Sequence, residues 1–207
     1  MPHQPTVSAP HTAGRLIHHA RLYDVFGKKM SGGRNTLVEL AAPAPDDSVL
    51  DVGCGTGEVA LAIAARVPGA KVVGIDASPE MIARARAKAA KSASRVEFQV
   101  AAIESLPFAD DSFDVVTSSL MLHHLPVDLK RAGLAEVRRV LKPGGRFVAA
   151  DFATDSHTRL GHLLSVFGHG RGPAAIDSLE PLLRDAGFQH IDAAATRHKN
   201  LLFVQAS

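Results

Sequence analysis

The sequence predicts an α/β fold, a doubly wound seven-stranded sheet, mostly parallel, with an antiparallel closing strand. Three observations predict it. Apolar strand-like runs alternate with helix-like runs through five successive units, which argues for a parallel sheet covered on both faces by right-handed crossovers. The first strand passes into its helix through three alternating glycines, Gly53, Gly55 and Gly57. The last two strand-like runs have no helix between them and are therefore expected to pair as an antiparallel hairpin. A chain of 207 residues, 46% of them hydrophobic, suits one compact domain with a small lid.

Taken in order, residues Met1 to Gly14 read as a tail with little to bury. From Arg15 to Phe26, Leu16, Ile17, Ala20 and Tyr23 follow a helical pattern. Gly32-Gly33 marks a break, a second helix runs from Arg34 to about Ala42, and Pro43 and Pro45 mark a linker. Residues 1–45 are thus expected to form a tail and short helical lid, and residues 46–207 the main domain. The stretch Val49 to Val52 is the first strand and Glu58 to Val67 its helix. Lys71 to Ile75 is the second strand, closed by Asp76. Ser78 reads as an N-cap, with Pro79 at the first helical position and Glu80 favouring the helix's positive end. That helix runs to about Lys91 with Ile82, Ala85 and Ala89 inward, and Arg84, Lys88 and Lys91 on a solvated face. Val96 to Val100 and Phe113 to Thr117 are the third and fourth strands. Asp128 to Leu141 is a helix stopped by Lys142-Pro143-Gly144-Gly145, which turns into a fifth strand, Arg146 to Ala150. Past Asp151, Phe152 to Pro173 is loosely patterned, with a short helix around Leu160 to Phe167. A helix from Ile176 to Ala186 follows, then strands Gln189 to Ala194 and Asn200 to Gln205.

Composition excludes several function classes. A formal net charge of +2, no run of five or six like charges, no Trp and a single Tyr argue against a nucleic-acid platform. A lone cysteine, Cys54, forbids an internal disulfide and any multi-cysteine metal site, as expected in a reducing compartment. Met1 to Arg21 has no continuous apolar core of the kind a secretory signal needs, and the run Val59 to Ala65 is too short to cross a bilayer. A soluble, cytoplasmic protein without a metal is the expectation.

The glycine turn is where ligand chemistry is expected. Its glycines bring backbone N–H groups close to a ligand, and the helix that follows aims its positive end at the same spot. Dinucleotides and S-adenosylmethionine both use such a turn. The run Gly55-Thr56-Gly57-Glu58-Val59-Ala60 fits the dinucleotide pattern in its Ala variant, whereas counting from Gly53 puts Glu58 where a glycine is needed. Asp51, just before the glycines, suits a ligand carrying an ammonium and a sulfonium and repels a pyrophosphate. Asp76 lies at the tip of the second strand, where a carboxylate accepts ribose hydroxyls of either ligand.

Asp51-Val52-Gly53-Cys54-Gly55-Thr56-Gly57 resembles the first motif of the class I S-adenosylmethionine-dependent methyltransferases. The resemblance continues through Ile103-Glu104-Ser105-Leu106-Pro107-Phe108-Ala109-Asp110-Asp111-Ser112-Phe113-Asp114. It extends through Leu122-His123-His124-Leu125-Pro126 and through Arg139-Val140-Leu141-Lys142-Pro143-Gly144-Gly145. It implies a Rossmann-like methyltransferase fold and S-adenosylmethionine as cofactor. It further implies that Gly53, Gly55 and Gly57 cradle the methionine end, and that Asp51 supports that loop or the amino group. Asp76 binds ribose, Ala77 and Met81 lie near adenine, and Ser118, just past the fourth strand, meets the methionine portion. Where the family often has an Asp for the adenine amino group, this chain has Ala102. Backbone contacts at Ala102 and Ile103, and weaker cofactor binding, are the expectation there. Met81 and Ile103 read equally well as core packing, and Cys54 as a small filler in a tight loop.

Methyl transfer from a sulfonium is an in-line displacement, so the protein mainly aligns donor and acceptor and keeps water away. A base is needed only where the acceptor loses a proton. His123 and His124, after the fourth strand, and Asp151, ending the fifth, are the catalytic candidates. His123 and His124 also belong to the family motif, where they can simply anchor the loop. His157, His162 and His169 lie in a Gly-rich stretch without metal-ligand spacing. Thr117 to Leu125 holds no acid of the metal-dependent catechol type and no Asn-Pro-Pro-Tyr-like block, which points to a small-molecule acceptor. Tyr23-Asp24, Met30-Ser31 and Gly33 resemble the leading segment of the ubiquinone/menaquinone C-methyltransferases, with Tyr23 as a lid residue over the cofactor. The His-Arg-x-Trp continuation of that segment is absent, and the substrate region after the fifth strand is short. Two further readings stand beside a small-molecule methyltransferase: an NAD(P)-dependent oxidoreductase in the Gly55–Ala60 register, and a cofactor-binding protein without catalysis.

Overall fold

The computed structural model describes residues 31–152, 179–194 and 201–207. Its framework is a seven-stranded sheet: β1 (Ser48–Val52), β2 (Lys71–Asp76), β3 (Glu97–Val100), β4 (Phe113–Ser119), β5 (Leu141–Phe152), β6 (Ile191–Ala194) and β7 (Leu201–Ala206). The strand order is β3-β2-β1-β4-β5-β7-β6. The first five strands pair in parallel, β7 runs antiparallel to β5, and β6 pairs antiparallel with β7 as the missing helix predicted.

Among the described residues five helices cover the sheet: α1 (Ser31–Ala41), α2 (Glu58–Arg66), α3 (Pro79–Lys91), α4 (Val127–Val140) and α5 (Leu179–Asp185). Strand alternation divides the apolar residues between two faces. Leu50, Val52, Val116, Phe147 and Ala149 pack with Leu134, Val137 and Val140 of α4 and Leu182 and Leu183 of α5. Val49, Val115, Val148 and Phe203 face the other way, onto Leu37, Val38 and Ala41 of α1, Ile63 of α2, and Ile82 and Ala85 of α3. The result is a three-layer sandwich.

Four features depart from the sequence expectation. Helix α1, expected as part of a lid starting at Arg34, begins at Ser31 and lies against the sheet with Leu37 and Ala41 fully buried. Gly32 and Gly33 are inside it. A Cβ at Gly33 would meet Leu201 Cδ1 at 2.5 Å, so the glycine lets helix and strand approach and does not break the helix. Strand β5 starts at Leu141, and Pro143-Gly144-Gly145 is a bulge within it: pairing with β4 jumps from Phe113↔Leu141 to Val115↔Arg146. Strand β4 runs on to Ser119, so Ser118 is a strand residue and does not lie past the strand. Lys88, expected on a solvated face, donates to Thr56 Oγ1 (2.8 Å) and Glu58 Oε1 (2.7 Å), and Arg34 reaches Glu58 Oε2 at 2.6 Å. These bonds tie α1 and α3 to the start of α2. The tail, the helix at 15–26, Tyr23 and the three histidines at 157, 162 and 169 lie outside the described residues.

Arg139 explains why two of the sequence blocks occur together. Its guanidinium donates to Glu136 through Nε and Nη2, to Asp110 and the Phe108 carbonyl through Nη1, and to the Leu106 carbonyl. Glu136 also accepts the Leu106 N–H at 2.8 Å, and the guanidinium beside it holds its carboxyl below the usual range. The Leu106–Asp110 loop is thereby fixed to α4. Arg139→Met is expected to cost about 2 kcal/mol, because it leaves several polar groups without partners. Arg131→Met breaks an exposed ion pair with Asp185 and is expected to cost less than about 0.5 kcal/mol. Urea unfolding of both variants checks this. Equal losses would show that Arg139 does not hold the loop.

Candidate active site

In an open parallel sheet the ligand crevice forms where neighbouring strands send their connections to opposite faces. Here that point is between β1 and β4. The glycine turn leaves β1 on one side and the loop Leu120–Leu125 leaves β4 on the other. Most of the sequence-predicted residues surround this crevice.

The glycine turn is built by close packing at two positions and openness at a third. A Cβ at Gly57 would meet Phe98 Cζ at 2.7 Å and Ala85 Cβ at 3.1 Å, and one at Gly53 would meet Met121 Cγ at 2.3 Å. Gly55, at φ +53°, has nothing within 4 Å of that position. Of the three glycines of the turn, Gly55 is the one that faces free space, and its left-handed backbone turns its amide towards β2. That N–H donates to Asp76 Oδ2 at 2.9 Å, while Ser78 N–H donates to Asp76 Oδ1 at 2.8 Å. Asp76 thus clamps the turn to the start of α3, and each carboxylate oxygen keeps a lone pair for a ligand hydroxyl. Its burial pushes its pKa up, against those two bonds. Ser78 is the N-cap of α3 as expected, its hydroxyl accepting the Met81 N–H at 3.4 Å.

Asp51 sits beneath the turn, 1% exposed. Its register partner on β4, Thr117, donates a hydroxyl to Oδ1 at 2.9 Å, and Oδ2 has no hydrogen-bond partner. Burial raises its pKa from 3.8 to about 7, offset in part by the Thr117 bond. Ser118, beside it on β4, is also buried with an unpartnered hydroxyl. Ala102, Ile103 and Met81 are buried side chains, Ile103 lying against Gly133 of α4; Ala77 is half-buried. For Met81 and Ile103 the packing reading therefore describes the side chains. Cys54 is likewise a filler: 9% exposed, beside Gly74, its thiol pushed up by burial.

His123 and Asp151, 28 residues apart, form a dyad. Asp151 accepts the His123 backbone N–H at Oδ2 (2.9 Å) and the Phe152 N–H at Oδ1 (2.8 Å), and Oδ1 lies 2.6 Å from His123 Nδ1. A carboxylate with those bonds accepts the Nδ1 proton, which leaves Nε2 as the ring's lone-pair nitrogen. Phe152 packs edge-on against this ring, centroids 5.1 Å apart, and the His124 ring lies 3.8 Å away. The pairing of β4 with β5 brings the two residues together: Ser119 faces Ala150, and Leu120 N–H bonds to the Ala150 carbonyl at 2.8 Å. Leu120 takes φ +54°, a strained conformation for leucine, where the chain turns into the 3₁₀ segment Leu122–His124. Lys130, half-buried on the first turn of α4, is held below its usual pKa by desolvation, with the Asp151 charge acting the other way.

S-adenosylmethionine presents hydrogen-bond donors in its ammonium, two ribose hydroxyls and adenine amino group, beside a sulfonium that brings positive charge alone. The acceptors of the crevice match those donors: Asp51 Oδ2, Asp76 and Ser118 Oγ, with free space over Gly55. Asp51, beneath the turn, suits that cation and opposes a pyrophosphate. Sequence reasoning missed Thr117, Met121 and Lys130. Thr117 was recoverable from its strand position opposite Asp51; the packing of Met121 against Gly53 has no local signal.

Residues 49–145 match the family described as a methyltransferase domain. The chain is 43% identical over 149 residues to the ubiquinone/menaquinone biosynthesis C-methyltransferase UbiE of Geotalea daltonii, covering 68% of this chain and 63% of that protein. It is 40% identical over 135 residues to the demethylmenaquinone methyltransferase of Thermus thermophilus, covering 63% and 60%. A solved S-adenosylmethionine-dependent methyltransferase from Methanosarcina mazei superposes with a TM-score of 0.64 at 28% identity, covering 78% of this chain and 92% of that one. The chain spans a little under two-thirds of the length of these curated relatives. Among the described residues no helix is long and apolar enough to cross a membrane.

Asp51 makes stability depend on pH in a defined window. Its folded pKa, about 7, is above the unfolded value of about 3.9. Between those values the folded state holds a proton that the unfolded state has lost, so stability falls as pH rises from about 4 to about 7. Asp51→Asn removes this contribution. Urea unfolding at pH 5 and pH 7.5 is expected to show the wild type losing more stability than the variant, by a few kcal/mol. Parallel losses would contradict the raised pKa.

Proposed function

This chain belongs to the class I S-adenosylmethionine-dependent methyltransferases, and from that premise we propose that it transfers a methyl group to a small-molecule acceptor with His123 as general base. The observation that carries this reading is the Asp151–His123 pair at the mouth of the β1/β4 crevice, 2.6 Å between Oδ1 and Nδ1.

When bound, S-adenosylmethionine supplies an electrophilic methyl group on a sulfonium. Asp76 accepts the ribose hydroxyls, and the open backbone at Gly55 gives room for the methionine arm between Gly53 and Gly57. Asp51 and Ser118 lie under that arm, and Ala77, Met81, Ala102 and Ile103 line the adenine end. Asp151 fixes the His123 tautomer, so that Nε2 accepts the proton of an acceptor hydroxyl as its oxygen or ring carbon attacks. His124 and Phe152 wall the ring and exclude water. Residues 46–207 carry this machinery.

A quinol acceptor methylated at carbon is the finer reading. It is favoured by the names of the two curated relatives and by the dyad, since removing a phenolic proton makes the adjacent ring carbon nucleophilic. The base would take the phenolic proton, the ring carbon would take the methyl group that the sulfonium supplies and leave a thioether behind, and the proton on that carbon would then pass to water.

The test is thermal unfolding with S-adenosylhomocysteine, followed by turnover of S-adenosylmethionine with a panel of naphthohydroquinones, catechols and amines. A rise of several degrees in Tm is expected at saturating ligand. Turnover is expected with a hydroxyl-bearing aromatic acceptor. His123→Ala and Asp151→Asn are expected to lower kcat about 10²-fold or more while leaving S-adenosylhomocysteine binding within about twofold. Undiminished kcat in both variants would remove the base. Stabilisation by NADH in place of S-adenosylhomocysteine would overturn the cofactor reading.

A further inference from the structure

Lys130 stands where the packing of α4 calls for an apolar residue. The helix buries Gly133, Leu134, Val137 and Val140 against the sheet. Lys130, three and four residues before the first two of these, continues the same stripe. Its end of the stripe is the one beside the site. Helix α4 follows the histidine loop directly, so its first turn stands at the carboxyl ends of β4 and β5. A helical side chain leans towards the N-terminus of its own helix, which carries the Lys130 stem towards those strand ends and the His123–Asp151 pair. The residue is half-buried, and the Asp151 charge acts on its ammonium.

Within the chain alone this placement is unfavourable. The first turn of a helix is its positive end, where a cation is opposed, and half-burial takes water from the ammonium. No acid of the chain offsets this by contact. Asp151 accepts from the His123 and Phe152 N–H groups and from His123 Nδ1. Among the described residues no acceptor lies within hydrogen-bonding or ion-pairing distance of Lys130 Nζ. Asp128, two positions earlier, is exposed and lies off this face of the helix. Asp51 and Asp76 belong to β1 and β2, the side that suits a cation. The β4/β5 side therefore holds a cation that lacks an anion, and that is the side left for the methyl acceptor. We infer that Lys130 selects the acceptor, its ammonium holding a carboxylate borne by the same molecule whose hydroxyl faces His123. The inference rests on the methyl-transfer reading above and narrows its acceptor to hydroxyaryl carboxylates.

Calorimetric titration of the full chain, saturated with S-adenosylhomocysteine, tests it with 1-hydroxy-2-naphthoate and 1-hydroxy-2-naphthamide. The two compounds differ in charge and hardly in shape. The wild type is expected to bind the carboxylate at least about tenfold more tightly than the amide. Lys130→Met keeps the apolar stem; it is expected to weaken carboxylate binding about tenfold and leave the amide within about twofold. Lys130→Arg is expected to retain most of the preference. Equal affinity of the wild type for the two compounds, no measurable binding included, would overturn the inference. So would an equal loss of both in Lys130→Met, which marks a packing role. Should Lys130→Met fail to fold, Lys130→Gln takes its place under the same criteria. A wild type that binds no S-adenosylhomocysteine is a different result: it removes the methyl-transfer reading, and this inference with it.

Discussion

The crossing of connections between β1 and β4 is the constraint on which the site depends. A parallel sheet must send each strand's exit over one face or the other, and only where the direction changes is a gap left at the strand ends. Here one exit is the glycine turn and the other is the histidine loop. Asp51 and Thr117, opposite each other in register, join the two strands at the base of the gap with a buried hydrogen bond. Asp76 then closes the turn from the β2 side, and Asp151 closes the histidine loop from the β5 side. Asp76 and Asp151 do for backbone N–H groups what a ligand would otherwise have to do. The crevice is shaped before anything enters it.

Acidic groups dominate that crevice, and they differ in state. Asp151 is satisfied by three donors. Asp76 is satisfied by two and keeps capacity on both oxygens. Asp51 is dry with one oxygen free, which is why its carboxyl is pushed up to about 7. The arrangement favours a ligand that brings hydrogen-bond donors and positive charge. Remote from the crevice, Arg139 and the Lys88–Glu58–Arg34 contacts hold the loop and helix starts on which it is built.

Much of this was legible in the sequence because it is local. Glycine spacing, the Ser78-Pro79 helix start and apolar alternation are properties of neighbouring residues, and each gave the observed element. What was not legible depends on contacts between distant segments. Gly32 and Gly33 lie within a helix, and Leu201, from the far end of the chain, packs where a Cβ of Gly33 would sit. Pro143-Gly144-Gly145 is a bulge because β4 and β5 stay paired across it. Lys88 leaves its expected solvated face because Glu58 and Thr56 are within reach. The catalytic candidates were named singly, but the pairing of His123 with Asp151 follows from a strand register that no short window contains.

The central proposal is geometric: a sulfonium nucleoside would lie in the β1/β4 crevice with its transferable methyl group facing the His123–Asp151 pair. A crystal structure of the full chain with S-adenosylhomocysteine tests it most directly. The account predicts the amino-acid arm over Gly55, the ribose hydroxyls on Asp76 and the thioether sulfur open to the side of His123 Nε2. A nucleoside bound elsewhere, or a sulfur walled off from His123, would contradict it.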